Sequence, residues 1–499
     1  MADLDLKQDR EGYKTAFKTT ALFGGVQVVN ILVSILKSKI VALWLGSVGF
    51  GIMSLFNSAI SLIYSVTNLG LQDSAVRDIA YAAGQNDKAL VAKTVKGIKR
   101  WVLSTGLLGV IVTIVLSPLL SQWVFDSNQY VRAFIILSCV VLLMGIYNGN
   151  YAILQGIRNL GLMAKANIFG SVAGFLCSLP MFYFFRQDGI VLALMLTALA
   201  TAVVSWIYLK KAKVPNISLS CSDTYRIGLK AIKLGSAMSL SGISVVLVQF
   251  AVKTFIARDG DIAEVGLYQA GWALNGTYLG LVFTAMAKDY YPRLSQVVSA
   301  DNEQIKVMMN QQTEIALLIL APLIIIMIVF MPFFINLLYS AEFVGIVAMT
   351  EWLLIGSLIK AGSWAISFVF LAKGNGRVFL FNELGIKCIT LPSYLFGFHL
   401  FGLNGIGYAY TLNYLIYFIW VAVVAYRLYG IFYSMRYWRL FLILLLSVLV
   451  FPLGRVLWDA GYGTGIILII CILAYSVYEL NRRIELKTLF RSIFGGKIK

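Results

Sequence analysis

Runs of about twenty apolar residues, separated by short polar gaps, fill nearly all of this 499-residue chain. A helix of that length spans about 30 Å of hydrocarbon, and only helices and closed barrels satisfy their own backbone groups inside a bilayer. The pattern therefore predicts an all-α membrane protein. Composition agrees, with 60% hydrophobic and 13% charged residues; length alone suggests about three soluble domains. The opening MADLDLKQDREGYK is polar and lacks an apolar core, so it does not read as a cleavable signal, and the first helix is expected to direct insertion. The five cysteines, Cys139, Cys177, Cys221, Cys388 and Cys471, lie far apart and suggest neither a disulfide framework nor a metal site.

Hydropathy windows place about fourteen spans, near residues 19–45, 52–72, 98–120, 130–154, 163–185, 188–209, 232–257, 263–287, 312–338, 345–372, 377–399, 403–426, 437–456 and 463–480. Basic loops stay on the cytoplasmic side. On alternate connections, one face collects 32 of the 41 basic residues, including Lys7 to Lys18, Arg77 to Arg100, Lys210 to Lys233 and Arg482 to Lys499. The other face holds only Arg132, Arg186, Arg258 and Arg455, so both termini are expected in the cytoplasm. A formal charge of +18 follows from this topology and from anionic headgroups, with no nucleic acid needed.

Shifting the chain by about 215 residues exposes an internal repeat. Lys39 through Ile52 aligns with Lys253 through Leu267, and Arg77 falls opposite Arg293. Asp87 and Pro118 share the spacing of Asp301 and Pro332, and Phe185-Arg-Gln-Asp-Gly-Ile190 matches Phe401-Gly-Leu-Asn-Gly-Ile406. Six helices separate the copies, so both run in one orientation about an axis along the membrane normal. The expected architecture is two parallel six-helix repeats in a V-shaped, two-lobed bundle plus two C-terminal helices. Residues 1–18 form a cytoplasmic segment, 19–213 the first lobe, 214–430 the second, and 431–499 the last two helices and a basic tail.

Five lysines remain inside apolar helices: Lys37, Lys39, Lys253, Lys360 and Lys387. Charges at such depth are costly and mark function, here an anionic substrate. Gln27, Asn30, Ser34 and Lys37 share one helical stripe; Ser239, Gly242, Gln249 and Lys253 make a second; Ser357, Lys360, Ser363 and Ser367 make a third. Lys37 and Lys39 are about 200° apart, so they face different ways. Lys39 and Lys253 lie about 10 Å and 9 Å from the outer helix ends, where snorkelling competes with binding. Lys360 is about 20 Å from either end and has no carboxylate one turn away, so it leads as the anion ligand. Lys387 follows Glu383 by four residues, a spacing that also suits an intrahelical ion pair.

Coupling to an ion gradient needs a carboxylate at membrane level. Glu383, near Asn382 and within range of Thr411 and Asn413, is preferred; Glu351 and Glu314 are the other candidates. Asp73 and Arg77, spaced i,i+4, form a cytoplasmic gate or a local salt bridge, and Arg293 repeats Arg77. His399 and the tryptophans near span ends, Trp44, Trp123, Trp438 and Trp458, read as interface residues.

The stretch Lys39-Ile-Val-Ala-Leu-Trp-Leu-Gly46-Ser-Val-Gly49-Phe-Gly51, with the Leu154-Gln-Gly156 step and the Gly-Ile starts of the sixth and twelfth spans, resembles the O-antigen flippases of the multidrug/oligosaccharidyl-lipid/polysaccharide exporter superfamily. The likeness covers about residues 15–430. It implies a bacterial inner-membrane protein that moves an undecaprenyl-pyrophosphate-linked oligosaccharide from the cytoplasmic to the outer leaflet through a cation-lined cavity. It also implies an H⁺ or Na⁺ coupling ion, membrane lipids and polysaccharide polymerase machinery as partners, and no enzymatic activity or organic cofactor. A multidrug exporter of the same fold would want carboxylates where this chain carries lysines. A membrane polymerase or glycosyltransferase would carry a large outer loop, whereas the outer connections here are short.

Overall fold

The computed structural model describes residues 2–85, 87–215, 217–297, 302–458 and 461–484, with side chains from residue 25 onward except at 230, 233, 234, 236–238, 288, 292, 456, 458 and 484. Asp301 of the repeat, the basic residues beyond 484, and the side chains of Lys7, Arg10, Lys14, Lys18, Lys230, Lys233, Lys288 and Trp458 lie outside these.

Fourteen α-helices are described: α1 (Ala2–Thr67), α2 (Leu71–Gly84), α3 (Lys88–Phe125), α4 (Val131–Gly156), α5 (Leu160–Phe185), α6 (Ile190–Lys211), α7 (Cys221–Asp259), α8 (Ile262–Val297), α9 (Asn302–Val329), α10 (Met331–Leu338), α11 (Val347–Ala372), α12 (Gly376–Tyr429), α13 (Met435–Trp458) and α14 (Tyr462–Ile484). Helices α2 and α10 are too short to cross a bilayer. Conversely, α1 and α12 each contain two spans, broken at Gly46 (φ 67°, ψ −168°) and Gly402 (φ 59°, ψ −144°), conformations that a residue without Cβ adopts cheaply. The result is a helical membrane bundle whose long segments follow most of the hydropathy reading; among the described residues α8 is less apolar than the other spans, and the expected span 312–338 is broken between α9 and α10.

Backbone geometry carries the internal repeat at an offset of 216 residues. Asn159 N donates to Leu154 O at 2.9 Å and Arg158 N to Gln155 O at 3.0 Å; Asn375 N donates to Phe370 O and Gly374 N to Leu371 O, both at 3.0 Å. Each pair is a Schellman cap around a left-handed residue, Arg158 (φ 56°) in one copy and Gly374 (φ 72°) in the other. The next corner has the same form. Arg186 (φ 50°) stands where the second copy has Gly402. A Cβ on Gly189 would overlap the Met181 carbonyl, just as one on Gly405 would overlap that of Gly397. The second copy uses glycine at both turns, and the first holds arginine there at a cost of about 1–2 kcal/mol each.

Two compact units divide the described chain: Met1–Gly266 with Leu338–Ser340, and Leu267–Leu337 with Ala341–Lys499. Compact unit and sequence repeat are different divisions, because α7 opens the second repeat yet packs against α1, α2 and α3. The reason is local. Ser220 caps α7 by accepting from Asp223 N at 3.0 Å. Arg100 then donates to Leu219 O and Thr224 Oγ1 at 2.8 Å, Trp101 Nε1 donates to Thr224 O at 2.7 Å, and Lys93 pairs with Asp223 at 3.2 Å. Gly228 lies against the Trp101 ring, where a Cβ would collide with the indole.

In the second unit α9 and α11 form the centre, with α12, α13 and α14 around them. Two buried carboxylates fasten the last two helices. Glu351 of α11, 2% exposed, accepts from Arg455 of α13 at 2.6 Å through Oε1 and also through Oε2. Glu314 of α9 accepts from Arg483 of α14 at 3.0 Å, with Arg436 of α13 at 3.8 Å.

Candidate functional site

The five membrane lysines have different surroundings. Lys37 is half-buried on α1; on the same stripe, Asn30 donates to Asn167 Oδ1 at 2.7 Å and accepts from Ser171 at 2.8 Å, which turns this part of the stripe onto α5. Lys39 donates to the Tyr339 carbonyl, and the Tyr339 ring packs edge-on against Phe50 at 5.7 Å. Tyr339 belongs to the three residues that cluster with the first unit although their chain neighbours belong to the second. Lys253 is 6% exposed and donates to Ser58 Oγ at 2.8 Å; Ser58 in turn donates to Ser54 O at 2.9 Å. Lys253 therefore ends inside the protein, with no outward snorkelling.

Lys360, like Lys37, Lys39 and Lys387, is half-buried. Its ammonium sits over Phe283 of α8 at 5.1 Å and Tyr414 of α12 at 5.5 Å, and no carboxylate lies within ion-pair distance among the described residues. From Leu353 to Phe370 of α11 only Lys360, Trp364 and Phe368 are not buried. The stripe expected from the serines is turned the other way. Ser357 Oγ donates to Asn275 Oδ1 at 2.9 Å and meets Tyr410 Oη at 3.0 Å, Ser363 donates to the Lys360 carbonyl at 3.0 Å, and Ser367 meets Tyr417 Oη at 3.1 Å. Helical hydroxyls readily bond inward in this way.

Lys387 on α12 is half-buried and forms no ion pair among the described residues. Glu383 does not close the expected i,i+4 ion pair. Its Oε1 accepts from Tyr417 Oη at 2.6 Å, from the far part of α12. Thr411 and Asn413 bond elsewhere, to Trp352 O at 2.7 Å and Ser393 Oγ at 2.6 Å. Asn382 accepts from Trp420 Nε1 at 3.0 Å. Of the three membrane-level acids, Glu351 and Glu314 are committed to arginines, and Glu383 is held by a neutral hydroxyl.

At the expected gate, Arg77 pairs with its neighbour Asp78 at 3.2 Å, not with Asp73. Its repeat counterpart Arg293 pairs with Asp289 at 2.6 Å and approaches Gln312 at 3.4 Å. Both arginines are more than half exposed, so these pairs contribute little. Sequence reasoning missed Tyr417, Tyr414 and Phe283, since an aromatic residue in a membrane helix gives no signal of what it faces.

An all-helical bundle with an open cationic edge and two backbone repeats matches known proteins. Residues 40–348 match the family described as polysaccharide biosynthesis protein. The chain belongs to this family. A lipid III flippase of Escherichia coli (strain K12) is 21% identical over 397 residues, covering 78% of this chain and 93% of the relative, and one of Shigella flexneri gives the same figures. Among solved structures, lipid II flippase MurJ in an inward closed conformation superposes with a TM-score of 0.70 at 12% identity, over 93% of this chain and 99% of that one. An inward-facing multidrug resistance MATE family transporter of the MOP superfamily superposes with a TM-score of 0.65 at 17% identity, over 80% and 94%. The family member thus has the fold of this exporter superfamily, as its sequence resemblance implied.

Proposed function

We propose that this protein is a flippase for a lipid-linked oligosaccharide, and that Lys360, supported by Lys387, holds the substrate's phosphates at mid-membrane. The observation that carries the reading is the Lys360 ammonium, uncompensated by carboxylate and set on the one open edge of an otherwise buried helix. A diphosphate cannot cross hydrocarbon unaided, and an ammonium group replaces part of its hydration through charge-assisted hydrogen bonds. The named relatives are flippases and transporters, which supports transport without bond-breaking. With Glu351 and Glu314 held by arginines, a cationic drug would find little negative charge, which favours the anionic substrate over multidrug export.

The finer reading is an undecaprenyl-pyrophosphate-linked O-antigen or related repeat unit, moved from the cytoplasmic to the outer leaflet of a bacterial inner membrane. The distribution of lysine and arginine supports a cytoplasmic position for both termini, and polysaccharide polymerase machinery would receive the product. Glu383 is the carboxylate assigned to H⁺ coupling, since a hydroxyl partner such as Tyr417 tolerates either protonation state. Lys37 and Lys39 line the path or its rim, Lys253 is a sealed structural cation, and Asp73, Arg77 and Arg293 act at the cytoplasmic end of the path.

The test is leaflet-resolved measurement of lipid-linked oligosaccharide in cells lacking the gene, complemented with wild type or Lys360→Ala. Accumulation in the inner leaflet of both the null strain and the Lys360→Ala strain is expected. Normal outer-leaflet lipid in the null strain, with redundant transporters deleted, defeats the flippase reading.

A further inference from the structure

The open edge of α11 continues beyond Lys360 as an aromatic track. Trp364 and Phe368 follow at i+4 and i+8 and share the only non-buried line between Leu353 and Phe370. Their rings meet edge-on at 5.0 Å. Helix α8 backs the track: the buried rings of Phe283 and Tyr290 lie 5.7 Å and 5.8 Å from Trp364, and Tyr291, 40% exposed, lies 5.7 Å from Phe368. Gly276 and Gly280 precede Phe283 on α8, and a Cβ on either would meet nothing within 4 Å.

A lipid-facing surface does not account for this edge. Lys360 occupies it one turn away, and an ammonium facing hydrocarbon at mid-depth with no carboxylate is strongly unfavourable. An edge that sets half-buried Trp364 and Phe368 in line with Lys360 suits water and a flat, partly apolar ligand that covers the rings. A pyranose ring is such a ligand, because its axial C–H face is apolar and slightly positive, matching the negative face of an indole or phenyl ring, and its hydroxyls stay hydrated. The spacing also fits. One helical turn, about 5.4 Å along the axis, separates the two positions, so a cation and an indole follow each other on one line.

We infer that Trp364 and Phe368 of α11, with Tyr291 of α8, form a saccharide subsite that stacks the first sugars of the substrate while Lys360 holds the diphosphate. This rests on the flippase reading and adds to it a separate site for the glycan. Helix α11 runs away from Arg455, its partner on the expected outer side, toward Lys373. The track therefore extends from Lys360 toward the expected cytoplasmic end, from which the glycan enters.

The test uses the full chain in lipid nanodiscs, with affinities measured for undecaprenyl diphosphate and for the same lipid carrying an N-acetylhexosamine disaccharide. Trp364→Ala is expected to weaken the glycosylated lipid about three- to tenfold while leaving the bare diphosphate within about twofold. Trp364→Phe should keep most of the preference, and Lys360→Gln should weaken both ligands alike. Phe368→Ala, one turn on, gives a second reading of the same ratio if Trp364→Ala does not fold. Equal loss for both lipids would mean that the track holds the tail or only packs, and no loss for either would remove the subsite. Failure of the wild type to bind the bare diphosphate would instead sink the flippase reading.

Discussion

Lys253 and Lys360 are both amines within apolar helices, and neither has a carboxylate partner among the described residues, yet one is sealed and the other open. Lys253 ends on Ser58, which in turn donates a hydrogen bond to the Ser54 carbonyl. Lys360 lies half-buried over two aromatic faces, on the one line of α11 between Leu353 and Phe370 that is not buried. A buried cation becomes a ligand-binding group only if its hydrogen-bond donors are left unspent, and depth along the helix does not decide that.

The contrast depends on where the second unit sends its acids, and the largest effect should come from disturbing that. Glu351→Ala leaves Arg455 without its buried carboxylate and should destabilise the protein by about 3 kcal/mol, read as thermal unfolding in detergent. The double replacement Glu351→Leu with Arg455→Met should recover most of the loss. If the single variant melts like wild type, the last two helices are not fastened by this pair.

Lys360→Ala comes next. Transport should fall at least about tenfold with the melting temperature unchanged, and Lys360→Arg should restore much of it. A drop in stability that parallels the drop in transport would make Lys360 a structural cation like Lys253. The converse substitution, Lys253→Met, conserves volume and removes a sealed charge; transport should stay within about twofold and stability within about 1.5 kcal/mol. Loss of transport as deep as with Lys360→Ala would erase the distinction.

The smallest effect concerns the two repeats. Arg158 and Gly374 hold the same left-handed cap position, so Arg158→Gly should stabilise by about 1 kcal/mol and Gly374→Ala should destabilise by a similar amount, both read by thermal unfolding. A loss of stability in Arg158→Gly would show that the arginine side chain offsets its backbone strain through contacts of its own.

Much of the fold was legible because membrane solvation acts on each helix separately. Hydropathy alone located the spans, including the pair that meets at Gly402, and the repeat showed in short motifs such as Phe185 to Ile190 against Phe401 to Ile406. The site was less legible. Counting residues placed Lys360 at mid-depth, and the absence of nearby acids was visible in the string of letters. The serine stripe misled, since Ser357, Ser363 and Ser367 bond within the protein and the open edge belongs to Trp364 and Phe368. Glu383 four residues before Lys387 looked like an ion pair, but Tyr417, thirty-four residues away, takes the carboxylate.

By itself, then, the sequence determined the membrane class, the number and order of helices, the duplication and the supply of buried cations, because each follows from local hydropathy, spacing and glycine placement. Tertiary structure alone decided which of those cations remain available. That depends on partners from distant helices, Ser58 for Lys253, the Tyr339 carbonyl for Lys39, and Arg455 for Glu351, and hydrogen bonds across such separations form only when packing brings the helices together.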